Sequence, residues 1–373
     1  YKSIWNESLG SWVAASELTS AAGKRSRAKI IAVAAAVAAT AMGVAGNARA
    51  AEYVAGSGAT TDTSPTSPSG YTFVNPNYPA PAIYSTAVGD NAKSLGGGTA
   101  LGDTAVVKDI YGVALGGYSL AGAKAAAVGT GAIATGNQST ALGFNAAATG
   151  VNSASLGSWS TASGTSSVAL GWTSVAAGTS ATAVGAAAAA AGSYSIAVGN
   201  RASTGVNGNG NTAVGMSSSA NGSITTAGTW TGTAIGTNAT AAGDGATSLG
   251  DSAKATADKT LAVGRGAQAS ALNATAIGAA ANASAQNSVA LGAGSTTTAN
   301  LGVAAYNPGT ATLAGTNPAG EVSVGSAGYE RRVTNVAAGS APTDAVNVSQ
   351  LQSQAAVVNS LSTSTATGMA ALS

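Results

Sequence analysis

The chain has 373 residues, of which 45% are hydrophobic, 8% are charged and 5% are aromatic. Because a typical globular domain carries about 25% charged residues, the charge is depleted, and the few aromatic side chains exclude a wide, aromatic-rich core. There is no cysteine or histidine, which excludes disulfides, Cys or His metal sites and every catalytic pair that uses either residue. We expect a narrow, repetitive core, no cofactor, no metal site and no catalytic residue.

The formal net charge of +2 is unevenly distributed. Residues 1–51 hold six Lys and Arg against two Glu, and the remainder carries a slight acidic excess. The body of the chain therefore has no basic patch of the kind that binds nucleic acid.

A secretory signal is predicted near the N-terminus. A basic run at residues 24–29 precedes an apolar run at residues 30–45 and an Ala-x-Ala site that ends at Ala50. This order is typical of an export signal, and the apolar run is shorter than the roughly 20 residues that span a bilayer. We predict cleavage after Ala50.

The segment before this signal has its own character. Residues 1–25, with Ile4-Trp5-Asn6, Trp12-Val13-Ala14 and Ser16-Glu17-Leu18, resemble the extended signal-peptide region of autotransporters and related secreted proteins of Gram-negative bacteria. The resemblance implies export through the inner membrane to the outer membrane and cell surface.

A fourteen-residue repeat follows a Pro-, Ser- and Gly-rich stretch at residues 52–84, which we expect to be extended or loosely ordered. The repeat is a pentapeptide that ends in Ala, an aliphatic residue and Gly, with Ser155 and Ser248 as exceptions at the Ala position. Fifteen copies at one period indicate a repeat architecture. The motif glycines are Gly89, Gly102, Gly116, Gly129, Gly143, Gly157, Gly171, Gly185, Gly199, Gly215, Gly236, Gly250, Gly264, Gly278 and Gly292.

The spacing within each repeat predicts two short strands joined by two turns, since a second glycine often lies seven residues after the first, as at Gly136 and Gly150. A helix is disfavoured because each interior glycine costs about 1 kcal/mol. Strands alternate faces, so the Ala and the aliphatic residue point in opposite directions. We predict that the aliphatic side chain fills the coil interior and that the Ala lines an outer face where something packs closely.

Three aromatic residues near the motif glycines are candidate ligand contacts. Phe144 and Trp172 directly follow motif glycines, and Trp159 lies one position further on. A fourth candidate, Trp230, lies where the period breaks between Gly199 and Gly236, and loops on rigid scaffolds often carry recognition. The alternatives are that the rings fold over the turns or fill a seam between chains, and that the insertions are neutral.

The repeats resemble the YadA-like head of trimeric autotransporter adhesins, and a downstream segment that includes Arg331 to Gly339 and Thr343 to Leu351 resembles the neck of that family. The resemblance implies an all-β, left-handed parallel β-roll (a solenoid) that assembles as a homotrimer, followed by a neck and a trimeric coiled-coil stalk. It also implies an adhesin that attaches to host extracellular matrix proteins, collagen-like or similar, or to host cells, and that self-associates. The neck residues that it singles out are Arg332, Asn335, Val336, Gly339, Asp344, Ala345, Asn347, Gln350 and Leu351.

The expected organisation follows this order along the chain. We expect the chain to be a fragment of a longer protein, with membrane attachment only through a C-terminal anchor outside these residues. The predicted divisions are an extended signal peptide at 1–51, the Pro-rich segment at 52–84, the head at 85–299, a connector at 300–320, the neck at 321–352 and the start of the stalk at 353–373.

Two other function classes predict different sequence patterns. An ice- or crystal-surface-binding β-solenoid would show a flat, invariant Thr column, whereas the column after the motif glycines varies in size and charge. A β-helical enzyme acting on polysaccharides would need clustered acids, and activity on glycans would reveal it.

Overall fold

The computed structural model describes residues 2–6, 11–15, 53–57, 59–62, 85–206, 208–222 and 231–372. The chain forms two units, Tyr1–Glu52 and Tyr53–Ser373. In the first unit, β1 (Lys2–Asn6) pairs with β2 (Ser11–Ala15) in an antiparallel hairpin. The predicted signal at residues 24–50 lies outside the described residues. No helix among those described is long and apolar enough to cross a membrane.

The second unit is a parallel β-solenoid in which each coil gives one strand to each of two sheets. We call the sheet built from the Ala–aliphatic–Gly repeats the motif sheet and the other the second sheet. The motif sheet contains β3 (Tyr53–Ala55), β5 (Thr86–Val88), β7 (Thr99–Leu101), β9 (Val113–Leu115), β11 (Ala126–Val128), β13 (Thr140–Leu142), β15 (Ala154–Leu156), β17 (Val168–Leu170), β19 (Thr182–Val184), β21 (Ile196–Val198), β23 (Thr212–Val214), β25 (Thr233–Ile235), β27 (Thr247–Leu249), β29 (Leu261–Val263), β31 (Thr275–Ile277), β33 (Val289–Leu291) and β34 (Val322–Ser323). The second sheet contains β4 (Thr60–Asp62), β6 (Lys93–Leu95), β8 (Val106–Val107), β10 (Leu120–Ala121), β12 (Ile133–Ala134), β14 (Ala147–Ala148), β16 (Thr161–Ala162), β18 (Val175–Ala176), β20 (Ala189–Ala190), β22 (Ser203–Thr204), β24 (Ser219–Ala220), β26 (Thr240–Ala241), β28 (Lys254–Ala255), β30 (Gln268–Ala269) and β32 (Asn282–Ala283).

The constant period keeps equivalent residues in register from coil to coil. Ala141 of β13 pairs with Ala127 on one side and with Ser155 on the other, and every pairing within the two sheets is parallel. Each position of the repeat therefore forms a straight column along the solenoid. The predicted parallel β-solenoid of fourteen-residue coils is confirmed.

The core consists of methyl and hydroxymethyl groups. The central residue of every motif strand from β5 to β33 is fully buried and is Ala, or Ser at positions 155 and 248. The aliphatic residue beside it points outward, so the prediction that it fills the interior was wrong. The physical reason is volume, because two such short strands joined by tight turns enclose room chiefly for small side chains such as Ala and Ser.

The turns explain the motif glycines. All fifteen adopt φ between +113° and +137°, a region that side chains rarely occupy. They also stack closely, since a Cβ placed on Gly157 would lie 2.6 Å from the carbonyl oxygen of Gly171 in the next coil. Glycine is therefore required by conformation and by space.

The ends of the solenoid differ from the predicted divisions. β3 and β4 pair with β5 and β6, so coils are present before residue 85, although residues 63–84 lie outside the described set. Residues 300–320 contain no helix or strand, after which β34 joins β33. Helix α1 (Val348–Ala371) begins five residues before the predicted start of the stalk.

Candidate functional site

The outward face of the motif sheet carries two columns of side chains. The aliphatic column, one residue before each motif glycine, has no buried member, and Leu101, Leu142 and Leu170 are 44–48% exposed. The parallel column holds Thr at eight of its fifteen positions from β5 to β33, and residues such as Val113 and Ile196 interrupt it. The unbroken Thr column that an ice-binding solenoid needs is therefore missing from this face.

The outward face of the second sheet changes along its length. Near the N-terminal end it presents Val106, Leu120 and Ile133 in successive coils. Further along, the equivalent residues are polar: Ser203, Ser219, Thr240, Lys254, Gln268 and Asn282. Only the motif sheet offers an apolar face over all of these coils.

The three candidate aromatic residues lie together on one turn edge. Phe144, Trp159 and Trp172, which we call the aromatic strip, occupy three successive turns and are 47%, 54% and 61% exposed. The rings of Phe144 and Trp159 meet edge to face, with centroids 5.5 Å apart and planes at 77°. Such pairs contribute about 0.5–1.5 kcal/mol beyond area burial, so the two rings hold one another in place.

A further aromatic residue on this edge escaped the sequence reasoning. Tyr118 is 65% exposed and lies two residues after Gly116, the same position that Trp159 holds after Gly157. The signal that identifies Tyr118 lies in the second column after the motif glycine, whereas Phe144 and Trp172 lie in the first.

Both breaks in the period fall on the opposite turn edge, in successive coils. One follows β22 and the other follows β24. The side chain of Asn211 is fully buried, and its Oδ1 accepts a hydrogen bond from the amide of Gly232 at 2.7 Å, which ties the bases of the two insertions together. Trp230 lies outside the described residues.

The predicted neck residues form a hydrogen-bonded cap on helix α1. Asn347 is the N-cap and forms a capping box with Gln350, an arrangement that satisfies free amides at a helix start. The Gln350 side chain also accepts from the amide of Gly339 at 3.0 Å and donates to its carbonyl at 2.8 Å. Asn347 Nδ2 donates to the carbonyl of Val336 at 3.2 Å.

A second cluster shapes the turn before this helix. The Asp344 carboxylate accepts hydrogen bonds from the amides of Ser340 and Ala341, both at 2.9 Å. Hydrogen bonds from these backbone amides, with that of Ala341 first, hold the pKa of Asp344 below its ordinary value of 3.8. A Cβ on Gly339 would lie 2.9 Å from Asp344 Cβ and 3.0 Å from the Ala345 carbonyl oxygen, so this turn packs only around glycine.

The remaining predicted neck residues have simpler surroundings. Asn335 adopts a left-handed conformation with φ of 61°, which Asn tolerates better than most residues. Arg332 and Leu351 are exposed.

The adjacent arginine joins the neck to the last coil. Arg331 Nη1 donates to Ser295 Oγ at 2.9 Å and to the carbonyl of Val324 at 2.6 Å, and Nη2 donates to the carbonyl of Ala293 at 2.5 Å. The sequence shows two successive arginines, and only the backbone path decides which of them reaches the solenoid.

Three family models match this chain in sequence order. The extended signal peptide of the type V secretion system matches residues 1–46, and the coiled stalk of trimeric autotransporter adhesin matches residues 332–373. The YadA head domain repeat matches 96–119, 121–146, 148–174, 176–202, 231–253, 241–267 and 269–295. Together they cover about two-thirds of the chain. The chain belongs to the trimeric autotransporter adhesins. The type V extended signal peptide at residues 1–46 places this adhesin on the export route to the Gram-negative cell surface.

Individual relatives of this adhesin match shorter stretches. Autotransporter adhesin EhaG of Escherichia coli O157:H7 is 69% identical over 36 residues, which is 10% of this chain and 2% of that protein. A C-terminal YadA-like domain from Burkholderia pseudomallei is 37% identical over 28% of this chain and 44% of that one, with a TM-score of 0.21. The collagen-binding domain of Yersinia adhesin YadA is 24% identical over 66% of this chain and 84% of that one, with a TM-score of 0.17.

Proposed function

We propose that the chain is the head, neck and first stalk segment of a homotrimeric surface adhesin. It attaches the bacterium to host extracellular matrix proteins, collagen-like or similar, or to host cells, and it mediates contact between sister bacteria. It acts by binding and not by catalysis. The observation that carries the proposal is the aliphatic column of the motif sheet, whose members a single chain leaves half-buried or exposed, and never buried, in every coil from β5 to β33.

The aliphatic column of the motif sheet favours association with further copies of the chain. Burial of apolar surface contributes about 25 cal/mol per Å², and monomers rarely leave contiguous apolar patches larger than a few hundred Å² exposed. The interior buries chiefly Ala and Ser, so much of the branched apolar surface is on the outside. Packing the motif sheets of three chains against a common axis would cover it.

The helix supports the same assembly. None of the 24 residues of α1 is buried, and Val357, Val358 and Leu361 are 56–67% exposed. A helix that buries no apolar face is marginal in water, whereas an apolar seam shared by three helices would stabilise it. Assembly also gives three copies of every ligand contact, so weak sites reach useful avidity.

The mass in solution tests the assembly. We expect light scattering on the chain that follows Ala50 to give three times the chain mass, at concentrations down to the micromolar range. A folded monomer would overturn the trimeric head. Surface plasmon resonance on immobilised collagen and laminin then tests attachment, and degradation of either protein, or of a glycan panel, would contradict the proposal that the protein only binds.

A further inference from the structure

The aromatic strip has no structural role inside the solenoid. Among the described residues of the second unit, Phe144, Trp159 and Trp172 are the only Phe and Trp, and all three are exposed while the core is built chiefly from Ala and Ser. Trp159 also adopts φ of 60°, a conformation that costs free energy for a bulky residue. A large ring at this position therefore gains little burial within its own chain.

The spacing of the strip matches a polyproline II helix. Neighbouring coils lie about 4.8 Å apart, so Phe144 and Trp172 are separated by about 9.6 Å along the axis. One turn of polyproline II takes three residues and rises about 9.3 Å. Prolines three residues apart would thus meet the strip at every second coil, and exposed aromatic rings such as Phe144 and Trp159, whose planes lie at 77° to one another, are the surfaces against which such segments dock.

The strip is also uncharged. The two residues after each motif glycine include no charged side chain in the six turns between those of Asp103 and Arg201. This edge therefore offers no opposite charge to a charged partner and suits an uncharged one.

The chain itself contains an uncharged segment in which prolines lie three residues apart. Pro65-x-x-Pro68 and Pro76-x-x-Pro79 lie in a stretch that holds five of the eight prolines, and residues 63–84 include no Asp, Glu, Lys or Arg. We propose that the aromatic strip of one adhesin binds the proline-rich residues 64–81 of a second copy. The proposal rests on the proposed function as a surface adhesin and supplies a chemistry for contact between sister bacteria.

A second copy is the occupant favoured by the topology. The segment leaves the solenoid after Asp62 in β4 and returns at Ser85 before β5, so both of its ends lie on the turn edge opposite to the strip. The coil of Phe144 also lies four coils beyond that of β5, about 19 Å along the axis. Binding within one chain would require the loop to cross a sheet and return.

The test is a titration of the trimeric chain with a synthetic peptide of residues 64–81, followed by calorimetry. We expect saturable binding at one site per chain, weakened at least tenfold by Trp172→Ala and by Phe144→Ala. The matched control is Tyr194→Ala, a 65% exposed aromatic on the other turn edge, which should leave the affinity unchanged. A peptide with Pro76 and Pro79 replaced by Ala should also bind at least tenfold more weakly.

Several results would overturn the inference. These are no binding of the peptide to a folded trimer, binding that the strip variants leave intact, and binding of neutral oligosaccharides in place of the peptide. Loss of the trimer in the Trp172→Ala variant would instead assign the strip to a seam between chains. Mass measurements on every variant separate these outcomes from failure of the adhesin assembly itself.

Discussion

The two sheets of the solenoid share one interior and differ in what they present outside. Both bury an almost uninterrupted column of Ala, so the cores of the two walls are nearly identical. Outside, the motif sheet repeats an aliphatic residue fifteen times, while the second sheet turns polar from Ser203 onward. The buried residues therefore determine the shape of each coil. The outward columns determine which sheet contacts another protein and which sheet contacts water.

The largest effect is expected when charge is placed on the outward face of the motif sheet. We expect Leu142→Asp combined with Leu170→Asp to abolish the trimer, because the six leucines of an assembled trimer contribute on the order of 10 kcal/mol when buried. Thr161→Asp on the outward face of the second sheet is the matched control and should leave the mass unchanged. Light scattering distinguishes the two, and an intact trimer in the double variant would exclude the motif sheet as the interface.

A smaller effect, on the free energy of unfolding, is expected from substitutions in the turns that join the two sheets. Gly157→Ala would force a side chain into φ of +133° and against the carbonyl of Gly171, so we expect a loss of at least about 3 kcal/mol in the free energy of unfolding. Gly117→Ala meets only the Asp103 carbonyl oxygen at 3.6 Å and should be neutral or slightly stabilising. Denaturant unfolding followed by circular dichroism compares them, and equal losses would contradict the stacking argument.

The two exceptions in the Ala column give a finer test of the shared interior. Ser155 Oγ lies 2.6 Å from Ser160 Oγ, whereas the buried hydroxyl of Ser248 has no hydrogen-bond partner among the described residues. We expect Ser248→Ala to stabilise the protein by about 1 kcal/mol and Ser155→Ala to destabilise it by a similar amount. Thermal unfolding of both variants measures these stability changes. If both variants change the stability in the same direction, the hydrogen bond between the two serine hydroxyls does not explain the difference.

The smallest expected effect lies in the neck and depends on pH. The folded-state pKa of Asp344 is lowered by backbone hydrogen bonds, so its contribution to stability is present above the ordinary value of 3.8 and is lost as the pH falls through the lower folded value. Asp344→Asn should therefore reduce the drop in melting temperature between pH 4 and pH 2. An identical pH profile for the variant and the parent would contradict this role.

The neck shows which individual residues a family resemblance can identify and which contacts it cannot. It singled out Asn347 and Gln350, and the structure shows that they cap α1 and fasten it to Gly339. It also singled out Arg332, while Arg331 makes the contacts to the last coil. A motif identifies a segment reliably, but the assignment of single contacts needs the path of the backbone.

The sequence by itself determined the period, the two strands and two turns of each coil, and the opposite orientation of the Ala and aliphatic columns, because local conformation and strand alternation follow from the order of residues. Which column lies inside was decided only by the tertiary structure. Hydrophobicity favours the larger side chain in the core, yet stacked glycine turns and short strands leave space chiefly for small side chains such as Ala and Ser. The branched residues are thereby left outside, where other copies of the chain can cover them.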